Sequence, residues 1–240
     1  MGTSLIIDAA AEQCGRWNVL REAGPAAHLF DLERSMGFVL PTIRVLTVSA
    51  PTIVLGSSQS LAVVNARAAA ERGIDVVRRR SGGGAVGLSD DMLWVDVFVP
   101  IGDPLWNSDV GQATWWVGQA WADALGKAGV EGVAVHRGAM VTNPWSSLVC
   151  FSGLGPGEVT IAGRKVVGIS QRRSRAGALF QCGVVRKWTS WFVECLDRDL
   201  VVDRDRLGGV RPENAGVGVG ASVDEALVFL LADLRRRNDS

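Results

Sequence analysis

The run Val76-Val77-Arg78-Arg79-Arg80-Ser81-Gly82-Gly83-Gly84-Ala85-Val86 constrains this chain more than any other stretch. A short apolar strand runs into three arginines and then three glycines. Glycine has no Cβ, so the backbone there can take positive φ and bring its N–H groups close to a ligand. Arginine adds fixed charge in planar donor forks that match carboxylate or phosphate. Each glycine costs about 0.5–1 kcal/mol relative to alanine inside a regular element, so three in a row mark a place where the chain needs that freedom. The stretch reads as an anion-binding turn at the end of a strand. The same residues also fit a flexible surface loop beside a solvated charge run. Neither common phosphate loop matches, because no Gly-Lys-Ser/Thr follows and the spacing is not G-x-G-x-x-G.

Several function classes are poorly supplied. Lysine plus arginine balance aspartate plus glutamate at 25 each, so no overall basic field draws in nucleic acid or an anionic membrane. The longest apolar run, Ala226 to Ala232, falls far short of the roughly 20 residues that span a bilayer. Met1-Gly2-Thr3-Ser4-Leu5-Ile6 lacks the basic segment of a signal peptide, and a cytoplasmic protein is expected. Cys14, Cys150, Cys182 and Cys195 form no C-x-x-C pair, so no metal site is expected. His28 and His136 are the only histidines, too few for a His-rich site and a poor basis for a Ser-His-Asp triad. Lys127, Lys165 and Lys187 are the only lysines in an arginine-rich chain, which draws attention to each.

At 240 residues and 48% hydrophobic the chain can bury a sizeable core. No internal repeat and no long linker divides it, so a single domain over 1–240 is expected. Residues 1–14 show no clear period and read as a loose lead-in. Trp17 to Leu20 reads as a strand and Pro25 to Arg34 as a helix. Arg44 to Val48 and Thr52 to Leu55 are β-rich, with Leu61 to Arg72 helical and ended by Gly73. Strands follow at Ile74 to Val77 and Trp94 to Val99.

The clearest helical period runs from Ser108 to Leu125, with Val110, Ala113, Val117, Ala120, Trp121, Ala124 and Leu125 on one face. Trp115 and Trp116 fall inside it and read as packing residues. Val133 to His136 reads as a strand. Glu158 to Ile161 and Val166 to Ile169 flank Ala162-Gly163-Arg164-Lys165 in the pattern of a hairpin. Ala178 to Val185 gives another strand, Trp188 to Leu196 a short helix, and Asp203 to Gly220 a glycine-rich connection. Ser222-Val223-Asp224-Glu225 has the form of a capping box opening a final helix, over about 222–237. Strands in pairs with helices between them predict an α+β fold, a largely antiparallel mixed sheet flanked by helices.

Two motifs together resemble the lipoate–protein ligase A family, whose members attach lipoyl or octanoyl groups to a lysine of lipoyl carrier domains. Arg78 to Val86 is similar to the family's R-R-x-S-G-G-G-x-V loop. Gly163-Arg164-Lys165-Val166-Val167-Gly168-Ile169-Ser170-Gln171 is similar to its G-x-K-x-x-G-x-x-Q hairpin. Both occur in the family's order, within a motif-bearing core of about 17–196. The resemblance implies a biotin/lipoate ligase-like catalytic domain without a large accessory domain. Biotin ligases are a more distant match, because their G-R-G-R loop is absent.

The resemblance also implies roles for individual residues. Lys165 would meet the acyl carboxyl group or its activated ester, where an ammonium stabilises the charge that develops on the carbonyl oxygen. Arg79, Ser81, Gly82, Gly83, Gly84 and Ala85 would lie over the acyl chain and its head group. Gly168, Ile169 and Ser170 would complete the substrate contacts from the hairpin. Cys150, in Val149-Cys150-Phe151, is similar in position to the nucleophile of octanoyl transferases; a buried, inert cysteine fits the same residue.

Three mechanisms follow from the resemblance. A transferase would carry the acyl group on Cys150 as a thioester, with no cofactor, taking it from an acyl carrier protein or an octanoylated carrier. An ATP-dependent ligase would use ATP and Mg to form an acyl-adenylate of lipoate or octanoate. A non-catalytic acyl- or carrier-binding protein would keep only the pocket. Departures from the ligase pattern favour the first and the last: Gly87-Leu88-Ser89 stands where many ligases have Phe-His-Asp, and Cys182 stands where a histidine often precedes the glycine of the third strand.

Overall fold

The structure is a computed structural model, and it describes residues 8–14, 16–31, 37–207 and 211–236. Its centre is an eight-stranded sheet. β1 (Asp8–Cys14) pairs antiparallel with β2 (Trp17–Gly24), and β2 runs parallel to β3 (Thr42–Val48). β7 (Met92–Pro100) and β11 (Gly177–Val185) occupy the middle, followed by β10 (Arg164–Arg173), β9 (Val159–Ile161) and β8 (Val133–Val135). A second sheet of three strands has the order β5 (Asp75–Arg78), β4 (Thr52–Leu55), β6 (Val86–Leu88). The fold is thus α+β with a mostly antiparallel sheet, as the sequence predicts. The two parallel pairings, β2 with β3 and β4 with β5, are reached through the short helices α1 (Ala26–Leu29) and α2 (Ala66–Glu71).

Alternation along the central strands sorts the core into layers. Leu93, Val95, Val97 and Val99 point to one face, where Val117, Trp121 and Leu125 of α3 (Trp115–Lys127) meet Leu227, Leu230 and Leu234 of α6 (Ser222–Arg236). Met92 and Trp94 point to the other face, where Val54 and Val86 of the small sheet pack with Phe151. Ile53 and Leu55 face away from the large sheet, into a third cluster with Trp145, Leu148 and Phe192. The order is helices, large sheet, small sheet, and a final layer of loops and short helical segments.

Several sequence expectations are corrected. Asp8–Cys14 is a strand rather than a loose lead-in: a segment without period is recruited by pairing along its whole length with β2. The helix expected over Pro25 to Arg34 stops at Leu29, and 32–36 lie outside the described residues. Leu61 to Arg72 is broken into a 3-10 turn, Leu61–Val63, and α2, because Val64 bridges to Leu196 and Asn65 caps the second piece. The helix expected from Ser108 begins only at Trp115. Asp109 Oδ1 accepts from the N–H groups of Gly111 and Gln112, which closes a local turn in competition with the helix. Val110 is therefore 61% exposed rather than part of the core face.

Trp188 to Leu196 contains a 3-10 segment, Trp191–Cys195, instead of an α-helix. The connection expected over Asp203 to Gly220 includes the end of α4 (Arg198–Leu207), started by Asp197 Oδ1 accepting from Asp199 and Leu200, and α5 (Pro212–Ala215). Ser222 is the first residue of α6 rather than its cap, and position 237 lies outside the described residues.

Candidate active site

The glycine loop leaves β5 and is held on every side. Gly56, at the end of β4, lies so close beneath it that a Cβ there would meet the Gly83 carbonyl oxygen at 1.8 Å. A Cβ on Gly84 would lie 2.7 Å from the Cys150 nitrogen and the Val149 carbonyl carbon. This contact is fixed by a two-way backbone exchange: Ala85 N–H donates to Leu148 O at 2.8 Å, and Cys150 N–H to Ala85 O at 3.0 Å. Gln59 braces the same seam, accepting from Gly56 N and donating to the carbonyls of Ser147 and Leu148. Gly83 has φ +99°, a conformation that L side chains rarely adopt.

Arg79 holds the loop from within. Its guanidinium is 1% exposed and donates to the carbonyls of Val54 (3.1 Å), Gly82 (2.7 Å) and Gly84 (3.0 Å). Nη2 also lies 3.9 Å from Cys150 Sγ. Burial pushes the Arg79 pKa down, and the charges of Cys150 and Glu158 act in the opposite sense. Arginine remains a cation in any such site, so a buried positive charge stands beside the Cys150 sulfur.

Lys165 is equally buried and is fixed from the hairpin. Ala162 and Gly163 both take positive φ, +48° and +76°, the combination a two-residue hairpin turn needs. An irregularity in the β9–β10 register falls between Lys165 and Val167 and redirects the lysine relative to the strand beyond it. Its Nζ lies 2.6 Å from Glu158 Oε2 and donates to the Cys150 carbonyl oxygen at 3.0 Å, with the Phe151 ring 5.3 Å away. Glu158 is itself fixed, accepting from the N–H groups of Gly155 (2.6 Å) and Ile169 (3.0 Å). Lys165 thus braces the backbone of Cys150, while Arg79 stands on the side of its sulfur.

These elements wall a cavity of about 610 Å³. Gly82, Gly83 and Gly84 form one wall, Cys150 and Lys165 another, and Ile169 and Ser170 a third. Val110, Met140 and Pro156 add apolar surface, and Thr114, Asn143 and Ser146 polar groups, to the rest of the lining. Among the described residues, none accepts a hydrogen bond from the N–H groups of Gly82, Gly83 or Gly84. A half-buried thiol, a cation on each side of its residue, and a glycine loop over a mostly apolar chamber suit transfer of an acyl group.

Residues 32–191 match the family model for the lipoyl protein ligase A/B catalytic domain. The chain belongs to this family. An octanoyltransferase LipM from Moorella thermoacetica is 33% identical over 157 residues, which cover 64% of this chain and 56% of that protein. A LipM from Staphylococcus epidermidis is 31% identical over the same length, 63% of this chain and 56% of the relative. The chain thus spans just over half the length of these curated relatives. Among solved structures, the putative lipoate protein ligase Ta0514 of T. acidophilum superposes with a TM-score of 0.66 at 17% identity, covering 93% of this chain and 85% of its own. A lipoate-protein ligase A bound with ATP gives 0.64 at 15% identity, covering 94% and 86%. Both likenesses establish the shared ligase fold.

Within this lipoyl ligase A/B domain the sequence-derived site residues take two kinds of place. Gly82, Gly83, Gly84, Cys150, Lys165, Ile169 and Ser170 line the cavity. Arg79, Ser81, Ala85 and Gly168 lie behind that wall. Ala85 is in the backbone seam, Ser81 is 1% exposed, and Gly168 keeps room for Phe151, 3.3 Å from a Cβ placed there. Sequence reasoning missed Glu158, Gln59 and Gln181. Each is a single buried polar residue with at least one partner from a distant segment, so no local pattern marks its full role. A carboxylate opening an otherwise apolar strand, Glu158-Val159-Thr160-Ile161, was the one available signal.

Proposed function

We propose that this domain transfers an octanoyl or lipoyl group to a lysine of a lipoyl carrier domain, through a thioester on Cys150. The observation that carries the reading is the placement of the Cys150 thiol in the cavity wall, 3.9 Å from a buried guanidinium and beside the glycine loop. The likeness to octanoyltransferases of the LipM type supports the same chemistry. The lipoyl carrier domain as acceptor draws support from a fold neighbour described as a bi-partite lipoate protein ligase with its E2 lipoyl domain.

The thiolate of Cys150 attacks the carbonyl carbon of an acyl thioester presented by a carrier. The carbonyl electrons move onto oxygen, which the amides of the glycine loop are placed to receive. Collapse breaks the bond to the donor sulfur, which leaves as a thiolate and takes a proton. In the second half the neutral amine of the acceptor lysine attacks the Cys150 thioester. The amide bond forms, the amine gives up a proton, and Cys150 leaves as the thiolate that Arg79 stabilises. Lys165 keeps the Cys150 backbone fixed through both halves, and the chamber beside Val110, Thr114 and Met140 takes the alkyl chain.

An ATP-dependent ligase is the second reading, favoured by the fold shared with an ATP-bound ligase. Intact mass after incubation with an octanoyl carrier, or with ATP plus octanoate, separates the two. A hydroxylamine-sensitive adduct of one octanoyl group, absent in Cys150→Ser, is the expected result. An acyl-adenylate formed only with ATP, and turnover unchanged in Cys150→Ser, would replace the thioester route with the ligase.

A further inference from the structure

A row of polar side chains crosses the large sheet on the face toward the small sheet. Arg44, Asp96, Gln181 and Ser170 stand directly opposite one another on β3, β7, β11 and β10. Glu22 on β2 pairs with Arg44 at one end, and Ser170 reaches the cavity at the other. Arg44, Asp96 and Gln181 are each at most 5% exposed, and Ser81 from the glycine loop joins the row at 1%.

With Asp96 ionised against Arg44, each link has one polarity. Trp94 Nε1 donates to Asp96 Oδ1 at 2.9 Å, and Arg44 Nη1 to Oδ2 at 3.0 Å; neither group can accept, so Asp96 accepts at both oxygens. Gln181 Nε2 donates to the same carboxylate at 3.2 Å, which turns its carbonyl oxygen toward Ser81. Ser81 Oγ lies 2.6 Å from that oxygen and must give it its only proton. Ser81 Oγ can then only accept from Ser170 Oγ, 2.8 Å away, and Ser170 gives its only proton there. We propose that Ser170 Oγ consequently faces the cavity as a hydrogen-bond acceptor only, set by the Arg44–Asp96 charge pair, and that it binds an N–H group of the substrate.

The inference rests on the acyl transfer proposed above, which brings two N–H groups to this cavity. One is an amide of the thiol arm that presents the acyl group, and the other is the amine of the acceptor lysine. Both offer a donor where the wall offers a lone pair. A hydroxyl free to turn would serve donors and acceptors alike; this one discriminates.

The polarity is tested first by binding, independent of turnover. N-octylacetamide and N-methyl-N-octylacetamide share an alkyl chain and a carbonyl, and only the first has an N–H. Calorimetry on the full chain should show the first bound about fivefold more tightly, the worth of one net hydrogen bond, with the preference erased in Ser170→Ala, narrowed in Ser81→Ala, where the Ser170 hydroxyl is free to turn, and kept in Ser170→Thr. Equal affinities in the unaltered protein, including no binding of either, or a preference that survives Ser170→Ala, would overturn it.

Single-turnover rates then identify the N–H group. Slower loading of Ser170→Ala from S-octanoyl-N-acetylcysteamine, but not from the amide-free S-octanoyl ethanethiol, assigns the donor arm. Slower transfer from loaded enzyme to a lipoyl domain, with loading intact, assigns the lysine. No change in any step, or equal slowing in all of them including the amide-free thioester, would also overturn it. Failure of the unaltered protein to load Cys150 at all would instead remove the proposed thioester route, leaving the binding comparison to stand alone.

Discussion

Gly82, Gly83 and Gly84 are identical in composition and unlike in what they permit. A Cβ on Gly82 meets nothing within 4 Å, whereas one on Gly84 would drive into the backbone of Val149 and Cys150. Gly84→Ala is expected to lose about 1–3 kcal/mol of stability through overpacking and Gly82→Ala less than about 0.5 kcal/mol; urea unfolding of the pair would show equal losses if the seam can open without cost. Glu158→Gln keeps shape but removes the counter-charge of a lysine that is only 3% exposed. Breaking such a buried pair costs about 3–5 kcal/mol, so a melting temperature close to that of the unaltered protein would show that Lys165 finds another partner. The loop and Lys165 were legible in the sequence because glycine and lysine are individually conspicuous there. Glu158 was not, because its role exists only once β9 and β10 have paired.

At the scale of elements, α3 shows packing overriding propensity. Gly118 lies inside this helix, where alanine would be favoured by about 1 kcal/mol. A Cβ there would, however, meet the Gly157 carbonyl oxygen at 1.9 Å. Gly118→Ala should therefore lower the melting temperature, and a rise would mean that the 153–157 loop yields freely. The same helix shows where periodicity misleads. Val110 and Ala113 fit its apolar face in sequence, yet the turn at Asp109 keeps Val110 out of the helix and beside the cavity. Strands were legible where turn chemistry was strong, as at Ala162-Gly163, and illegible at β1, whose only reason to be extended is its partner.

The molecule as a whole stores a proton it does not use. Cys182, fully buried in the middle of the large sheet, has its thiol pushed up from 9.0 to about 12, mainly by burial. The folded chain holds this proton where an unfolded chain releases it. Stability must then fall as pH rises through the window from 9 to about 12, by at most about 1.4 kcal/mol per pH unit. Cys182→Ala should flatten that part of the pH–stability curve whatever its effect at pH 7. The layered α+β plan followed from strands in pairs, but the division into two sheets did not, since β4 and β5 read like further strands of one. That division matters for anyone recombining such domains. The glycine loop comes from the small sheet and Cys150 from a distant segment, yet Ala85 hydrogen-bonds to Leu148 and Cys150 on either side of Val149, as neighbours in one parallel ladder do. Residues 79–85 and 145–151 therefore form a single interchangeable part: a chimera that imports one without the other inherits a cast without its mould.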